Sequence, residues 1–157
     1  MVKTKKRNNG KNVTRKNIHH HHNHKNNHEK FEQEIIIVFL ETLNLIKLHH
    51  WKTYSYATHK ATDEFYSKIS DNIDTFTEVL LGKNGHRINL SHIQNICLKD
   101  VKSINEFKNE INIFKNYLIK LNDCKTMKSI NNSDLYNIRD DMLSNINQFL
   151  YLLSMNK

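Results

Sequence analysis

The sequence predicts an all-α fold, a four-helix bundle behind a basic polar tail, and three observations carry that expectation. The chain of 157 residues has no Pro and only three Gly, so little interrupts long helices. Apolar residues recur at three- and four-residue steps in four separate stretches. With 38% hydrophobic residues, the length suits one core and not two.

The first helix is expected from Phe31 to Tyr54. Phe31, Ile35, Val38, Thr42, Leu45 and His49 lie on one stripe, with Ile36, Phe39, Leu43 and Ile46 beside it. The second, from Tyr56 to Leu81, turns Ala61, Phe65, Ile69, Ile73, Phe76 and Leu80 inward and stops at "GKNG", whose glycines break the helix. The stretch "HRINLSHIQNICLK" from His86 to Lys99 is too long for a tight turn, and its own apolar residues predict a short helix there. The third helix, Val101 to Leu121, carries Ile104, Phe107, Ile111, Phe114, Leu118 and Leu121 in 3,4 alternation. The fourth follows an N-cap signal, "NNSD", with Leu135, Ile138, Met142, Ile146, Phe149 and Leu153 facing the core. Two short connections flank one of about twenty residues. Two hairpins joined by one long crossover is the ferritin-like pattern.

The charge is unevenly placed. Of 24 Lys and Arg and 16 Asp and Glu, nine bases and one acid, Glu29, fall between Met1 and Lys30, which leaves 15 of each sign in the remainder. The whole formal excess of +8 sits in the tail. Residues 1–30 have few apolar side chains and no helical period, so disorder is expected there, with the bundle occupying residues 31–157. A polycation beside a neutral body suits nonspecific DNA contact, in which Lys3, Lys5, Lys6, Arg7, Lys11, Arg15 and Lys16 would neutralise phosphates and release counterions. A merely solubilising tail fits the same composition. The histidine-rich run His19–His22, His24 and His28 reads as low complexity rather than a defined metal site.

Cys97 and Cys124 show neither CxxC spacing nor the density of a secreted scaffold, and are expected as free thiols in a reducing compartment. No apolar run approaches the roughly 20 residues of a membrane span, and no signal-peptide core follows the basic N-terminus. A soluble, intracellular protein without a membrane partner is the expectation. The abundance of Lys, Asn and Ile is the bias of an AT-rich genome, such as that of a large DNA virus or an AT-rich microbe.

One helix face carries chemistry. At about 100° per residue, with His59 at zero, Asp63 falls near 40°, Asp74 near 60° and Glu78 near 100°, while the apolar stripe of the second helix centres near 280°. Two pairs spaced i, i+4 therefore share the face turned away from the core. They are 15 residues apart in sequence, about 22 Å of helix, too far to hold one ion within one chain. Ser67 and Ser70 flank the midpoint, and small residues there let a second copy of the helix cross closely and antiparallel. Such a two-fold contact brings His59 and Asp63 of one chain toward Asp74 and Glu78 of the other, with His50 close by to add an imidazole.

This stretch resembles the Dps family, the DNA-protecting mini-ferritins. The resemblance rests on His50-Trp51 at the end of the first helix and on His59, Asp63, Asp74 and Glu78 in the second, and covers roughly Ile35 to Leu81. It implies iron as the metal, Fe(II) oxidation at a two-fold inter-subunit site, a homo-oligomer built through the second helix up to a hollow cage, and lysine-rich arms on DNA. Asp63, Asp74 and Glu78 would be the anionic ligands and His59 the nitrogen ligand; Trp51 and Tyr56 would quench radicals or simply pack. The chain departs from the pattern in a shorter His50-to-His59 gap and a second half without a family motif. It has no Glu-x-x-His pair, which disfavours an iron site inside the bundle. His49 is expected as a buried hydrogen-bonding residue, His86 and His92 as surface residues, and Tyr66, Tyr117, Tyr136 and Tyr151 as core edge.

Two function classes follow. One is a Dps-like iron-oxidising protein that shields DNA. The other is a non-catalytic helical protein, a nucleic-acid-packaging or virion component that kept the bundle and lost the metal.

Overall fold

A computed structural model of the chain describes the backbone of residues 12–129 and 131–155, and the side chains of residues 27–128 and 131–155. The fold is all-helical, with no strand among the described residues. Its elements are α1 (Asn12–Lys52), α2 (Tyr56–Asn84), α3 (Ile104–Lys120), a 3-10 turn (Leu121–Asp123), α4 (Lys125–Ser129) and α5 (Ser133–Ser154).

The ends of α2 and the start of α3 have local causes. Ser55 caps α2, its Oγ accepting from the Thr58 amide at 3.2 Å. At the other end Gly85 takes φ 69°, a left-handed conformation that costs glycine little, and its amide donates to the Leu81 carbonyl. α3 opens on Ser103, whose Oγ accepts from the Glu106 amide, while Glu106 reaches back to the Lys102 amide. The "NNSD" signal marks the start of α5, but Asn132 is buried and donates to the Met127 carbonyl instead of capping the helix.

The expected boundary at residue 31 is no break in the backbone, because α1 begins at Asn12. No Gly or Pro stands between Asn12 and Lys52 to stop the helix, and extending a packed helix costs far less than nucleating one. Met1–Lys11 lie outside the described residues.

Among the described residues α1 packs on α2 and α3, and α5 packs on α2 and α3, whereas the backbones of α1 and α5, and of α2 and α3, stay farther apart as the diagonals of the bundle. His49 near the end of α1 lies on Phe107 near the start of α3, and Phe65 early in α2 lies on Phe149 late in α5, so both pairs are antiparallel. The connection from α2 to α3 explains the order. Asn89 accepts from Gln33, the Cys97 amide donates to Glu41, and Asp100 pairs with Lys52, so the segment climbs α1 from near its middle to its last turn. α2 and α3 thus start at the same end.

This crossover holds no helix, contrary to the expectation for His86 to Lys99. Ile88 and Leu90 are partly buried against the core with exposed Asn89 between them, an alternation of two that suits extended backbone.

One core joins all four long helices; its apolar residues are those of the predicted stripes, with Met127 of α4 added. Phe39 meets Phe76 and Phe114 edge-on, with centroids 5.5 and 6.2 Å away, and Phe65 stacks on Phe149 at 4.0 Å. Ala61, Val38, Leu43, Ile104 and Ile138 lie at its margin, as do Tyr66, Tyr117 and Tyr136; Tyr151 is exposed instead. Both cysteines are free thiols. Among the described residues no helix is long and apolar enough to cross a membrane.

Candidate functional site

The turn between α1 and α2 is three residues long, and it folds the last turn of one helix against the first turn of the next. Thr53 Oγ1 accepts from the Ser55 amide, tightening the bend that Ser55 then caps. The short gap between His50 and His59 therefore brings the two residues together.

Their imidazoles stack with centroids 3.9 Å apart and planes 22° from parallel. His50 Nδ1 donates to the His59 carbonyl at 3.1 Å and lies 3.2 Å from Thr62 Oγ1, while His59 Nδ1 donates to the His50 carbonyl at 3.1 Å. A carbonyl can only accept, so each ring carries a proton on Nδ1 and leaves Nε2 for another partner. His50 Nε2 is 3.8 Å from Asp63 Oδ1, whose side chain is 56% exposed. His50 itself is buried.

Thr62 belongs to this arrangement although sequence reasoning passed over it. It is fully buried, and its hydroxyl lies 2.8 Å from the Thr58 carbonyl and 2.9 Å from that of His59. A polar residue among the inward-facing positions of α2, one turn from a histidine, was the available signal.

Carbonyl-oriented imidazoles beside a carboxylate match the donor chemistry of a transition-metal site. The stacking limits what they can do together. In-plane lone pairs on nearly parallel rings do not converge, so one ion takes one of the two imidazoles in this arrangement. Asp74 and Glu78 are exposed farther along α2, without a hydrogen bond or ion pair among the described residues, and one chain does not bring them to His59 and Asp63. Accordingly, no three His, Cys, Asp or Glu side chains among the described residues form a group able to hold a metal ion.

Other candidates separate by burial. His49 stacks on Phe107 at 3.9 Å, and its Nε2 is buried without a hydrogen-bond partner among the described residues. Burial, helped by the charge of Lys52, lowers its pKa and favours the neutral ring. Trp51 and Tyr56 are 68% and 77% exposed, beside the histidine pair rather than in the core. His86 is exposed at the surface but reaches a buried acid, Glu32; His92 is exposed. Lys3, Lys5, Lys6, Arg7 and Lys11 lie outside the described residues, as do the side chains of Arg15 and Lys16 in the first turns of α1.

Residues 50–153 match DUF5856, described as a family of unknown function. The chain belongs to this family. The DUF5856 span starts at His50 and takes in His59, Asp63, Asp74, Glu78 and every helix after α1, while the basic tail lies outside it. No curated protein and no solved structure matches the chain.

Proposed function

We propose that this DUF5856 protein is a ferritin-like four-helix bundle of the Dps kind, which binds Fe(II) and promotes its oxidation at sites completed by a second copy of the chain. The observation that carries the reading is the reciprocal pair of His50 and His59, each turned by the other's carbonyl so that Nε2 is left for a ligand, beside Asp63. The helix order supports it too: two antiparallel hairpins and a crossover running along the second half of α1 are what a ferritin-like bundle would have.

Helical register argues for a second copy. Two α2 helices crossing antiparallel about the midpoint of Lys68 and Ile69 set Tyr56 opposite the partner's Leu81, His59 opposite the partner's Glu78 and Asp63 opposite the partner's Asp74. The first pairing is apolar, the second can share a cation, and the third sets carboxylate against carboxylate. Two facing carboxylates repel, and a divalent ion between them reverses the sign. Assembly and metal binding are therefore one equilibrium.

In this scheme Fe(II) is the substrate. Asp63 and the partner's Asp74 and Glu78 hold the ion and stabilise the higher charge of Fe(III), His59 supplies a neutral nitrogen, and the electron passes to dioxygen or peroxide. His50 keeps His59 in its tautomer.

The test is anaerobic Fe(II) titration with mass measured in solution. The expected result is conversion of monomer to dimer, or a larger even assembly, at about two ions per dimer beyond those bound by the histidine tract. A mass unmoved by iron sinks the site and leaves the non-catalytic packaging protein as the better reading.

The tail's charge excess extends the proposal to nonspecific DNA contact. Changing Lys3, Lys5, Lys6, Arg7, Lys11, Arg15 and Lys16 to Gln should weaken binding on every DNA sequence alike. The salt slope should flatten by about 0.9 for each phosphate no longer neutralised; an unchanged slope places DNA binding, if any, elsewhere.

A further inference from the structure

A second polar cluster lies at the opposite end of the α1–α2 hairpin, and the proposed metal chemistry does not use it. Glu32 is a carboxylate only 1% exposed, on the first turns of α1 to enter the core, between Phe31 and Ile35. Two groups meet it. The Asn84 side chain, in the last turn of α2, donates to Oε1, and His86 Nε2, at the start of the crossover, lies 2.8 Å from Oε2.

The other ring nitrogen of His86 settles its protonation. Nδ1 lies 3.1 Å from the Asn84 carbonyl, which can only accept. A carboxylate also only accepts, so both nitrogens must donate, and the ring satisfying both bonds is the imidazolium. We infer that His86 and Glu32 form a proton-operated clasp, closed while His86 is charged, which fastens the end of α2 and the start of the crossover to α1.

Loss of one proton sets a lone pair on His86 against a carboxylate, or against the Asn84 carbonyl. Either way one bond becomes a repulsion. Glu32 then keeps only Asn84 and is left buried beside a neutral ring, a costly state that opening to water relieves. The part released is short: Gly85 leaves the helix in a left-handed conformation, and the next tie to α1 is the Gln33 bond to the Asn89 carbonyl. His28 stands one turn before Glu32 on α1, and Arg87 follows His86 in the crossover. Lys83 is turned away toward Asp134 and the Asn131 carbonyl, and the remaining charge acting on His86 is Glu29, also on α1.

The direction of titration agrees. The bond to Asn84, then that to Glu32, with the charges of Glu32 and Glu29 adding attraction, raise the His86 pKa above its ordinary value against an opposing desolvation. A raised folded-state pKa gives stability that is complete below about 6.5 and is lost as pH rises through the folded value. The clasp therefore opens on the alkaline side.

The experiment uses the full chain and two readouts across pH 5.5 to 9. The His86 ring signal is assigned in NMR by its absence in His86→Gln, and amide exchange of residues 82–85, the last turn of α2 and its cap, is measured by mass spectrometry with the intrinsic pH dependence removed. The expected result is an elevated His86 midpoint, with protection of 82–85, whose amides close the last turn of α2, falling at least fivefold through that same midpoint while the core of α3 and α5 keeps its protection. Glu32→Gln, which keeps shape and removes charge, should lower the His86 midpoint, leaving the part of the rise that the Asn84 carbonyl supplies, and leave 82–85 poorly protected at every pH. A His86 midpoint unshifted in the wild type, or protection that ignores pH or survives Glu32→Gln, overturns the clasp.

Discussion

Asp74→Asn should lose saturable Fe(II) binding, by at least tenfold in affinity, and at the same time form dimer without any metal. The two effects have one cause. In the proposed antiparallel register Asp74 faces the partner's Asp63, so that interface would carry two facing negative pairs unless a cation lies between them. Replacing one member by a neutral amide of the same shape removes a ligand and the repulsion together. Analytical ultracentrifugation with and without Fe(II), beside stopped-flow Fe(II) oxidation, reads both. Oxidation at the wild-type rate would remove Asp74 from the site. A variant that stays monomeric and still needs iron would instead rule out the α2 contact. Asp71 is a suitable control, being exposed on α2 near 120° on the same wheel, at the edge of the proposed contact.

Phe39→Ala should destabilise the fold by about 3–5 kcal/mol, the usual cost of emptying a large aromatic site in a close-packed core. Phe39 is almost fully buried, and it is the point where three helices meet: its ring is edge-on to Phe76 of α2 and to Phe114 of α3. The edge-on ring pairs add to the cost of the buried area, and both ring neighbours are too rigid to fill the space. Urea unfolding followed by circular dichroism should show a lower midpoint with an unchanged slope. A loss under 1 kcal/mol would mean that the site collapses, and that α1 is held mainly by its other rows.

The long helices and their inward stripes were legible because burial imposes a 3.6-residue period on the sequence, and it does so strongly where both neighbours are helices. Phe107, Ile111, Phe114 and Leu118 are buried as that period requires. Expecting helix wherever apolar residues gather misplaces the crossover: Ile88 and Leu90 show a period of two, too brief to stand out against the Ile- and Asn-rich background. At the site, the shared face of His59, Asp63, Asp74 and Glu78 follows from helix geometry alone. The meeting of His50 with His59 does not, since it depends on how three turn residues bend. Glu32 was the missed signal. It lies four residues before Ile36, in the same row as Phe39, Leu43 and Ile46, and a carboxylate in an apolar row asks for a partner that only the tertiary fold can name.

Trp51, the single tryptophan, lies outside the core, 68% exposed beside the histidine pair with Lys47 Nζ 5.9 Å from its ring. Most small proteins carry an indole that goes dark or shifts colour when the interior comes apart. Here the optical signal belongs to the surface: unfolding moves this ring from water to water, whereas anything that settles on the α1–α2 turn takes it out of water. The chain's intrinsic fluorescence is consequently an account of its company more than of its integrity.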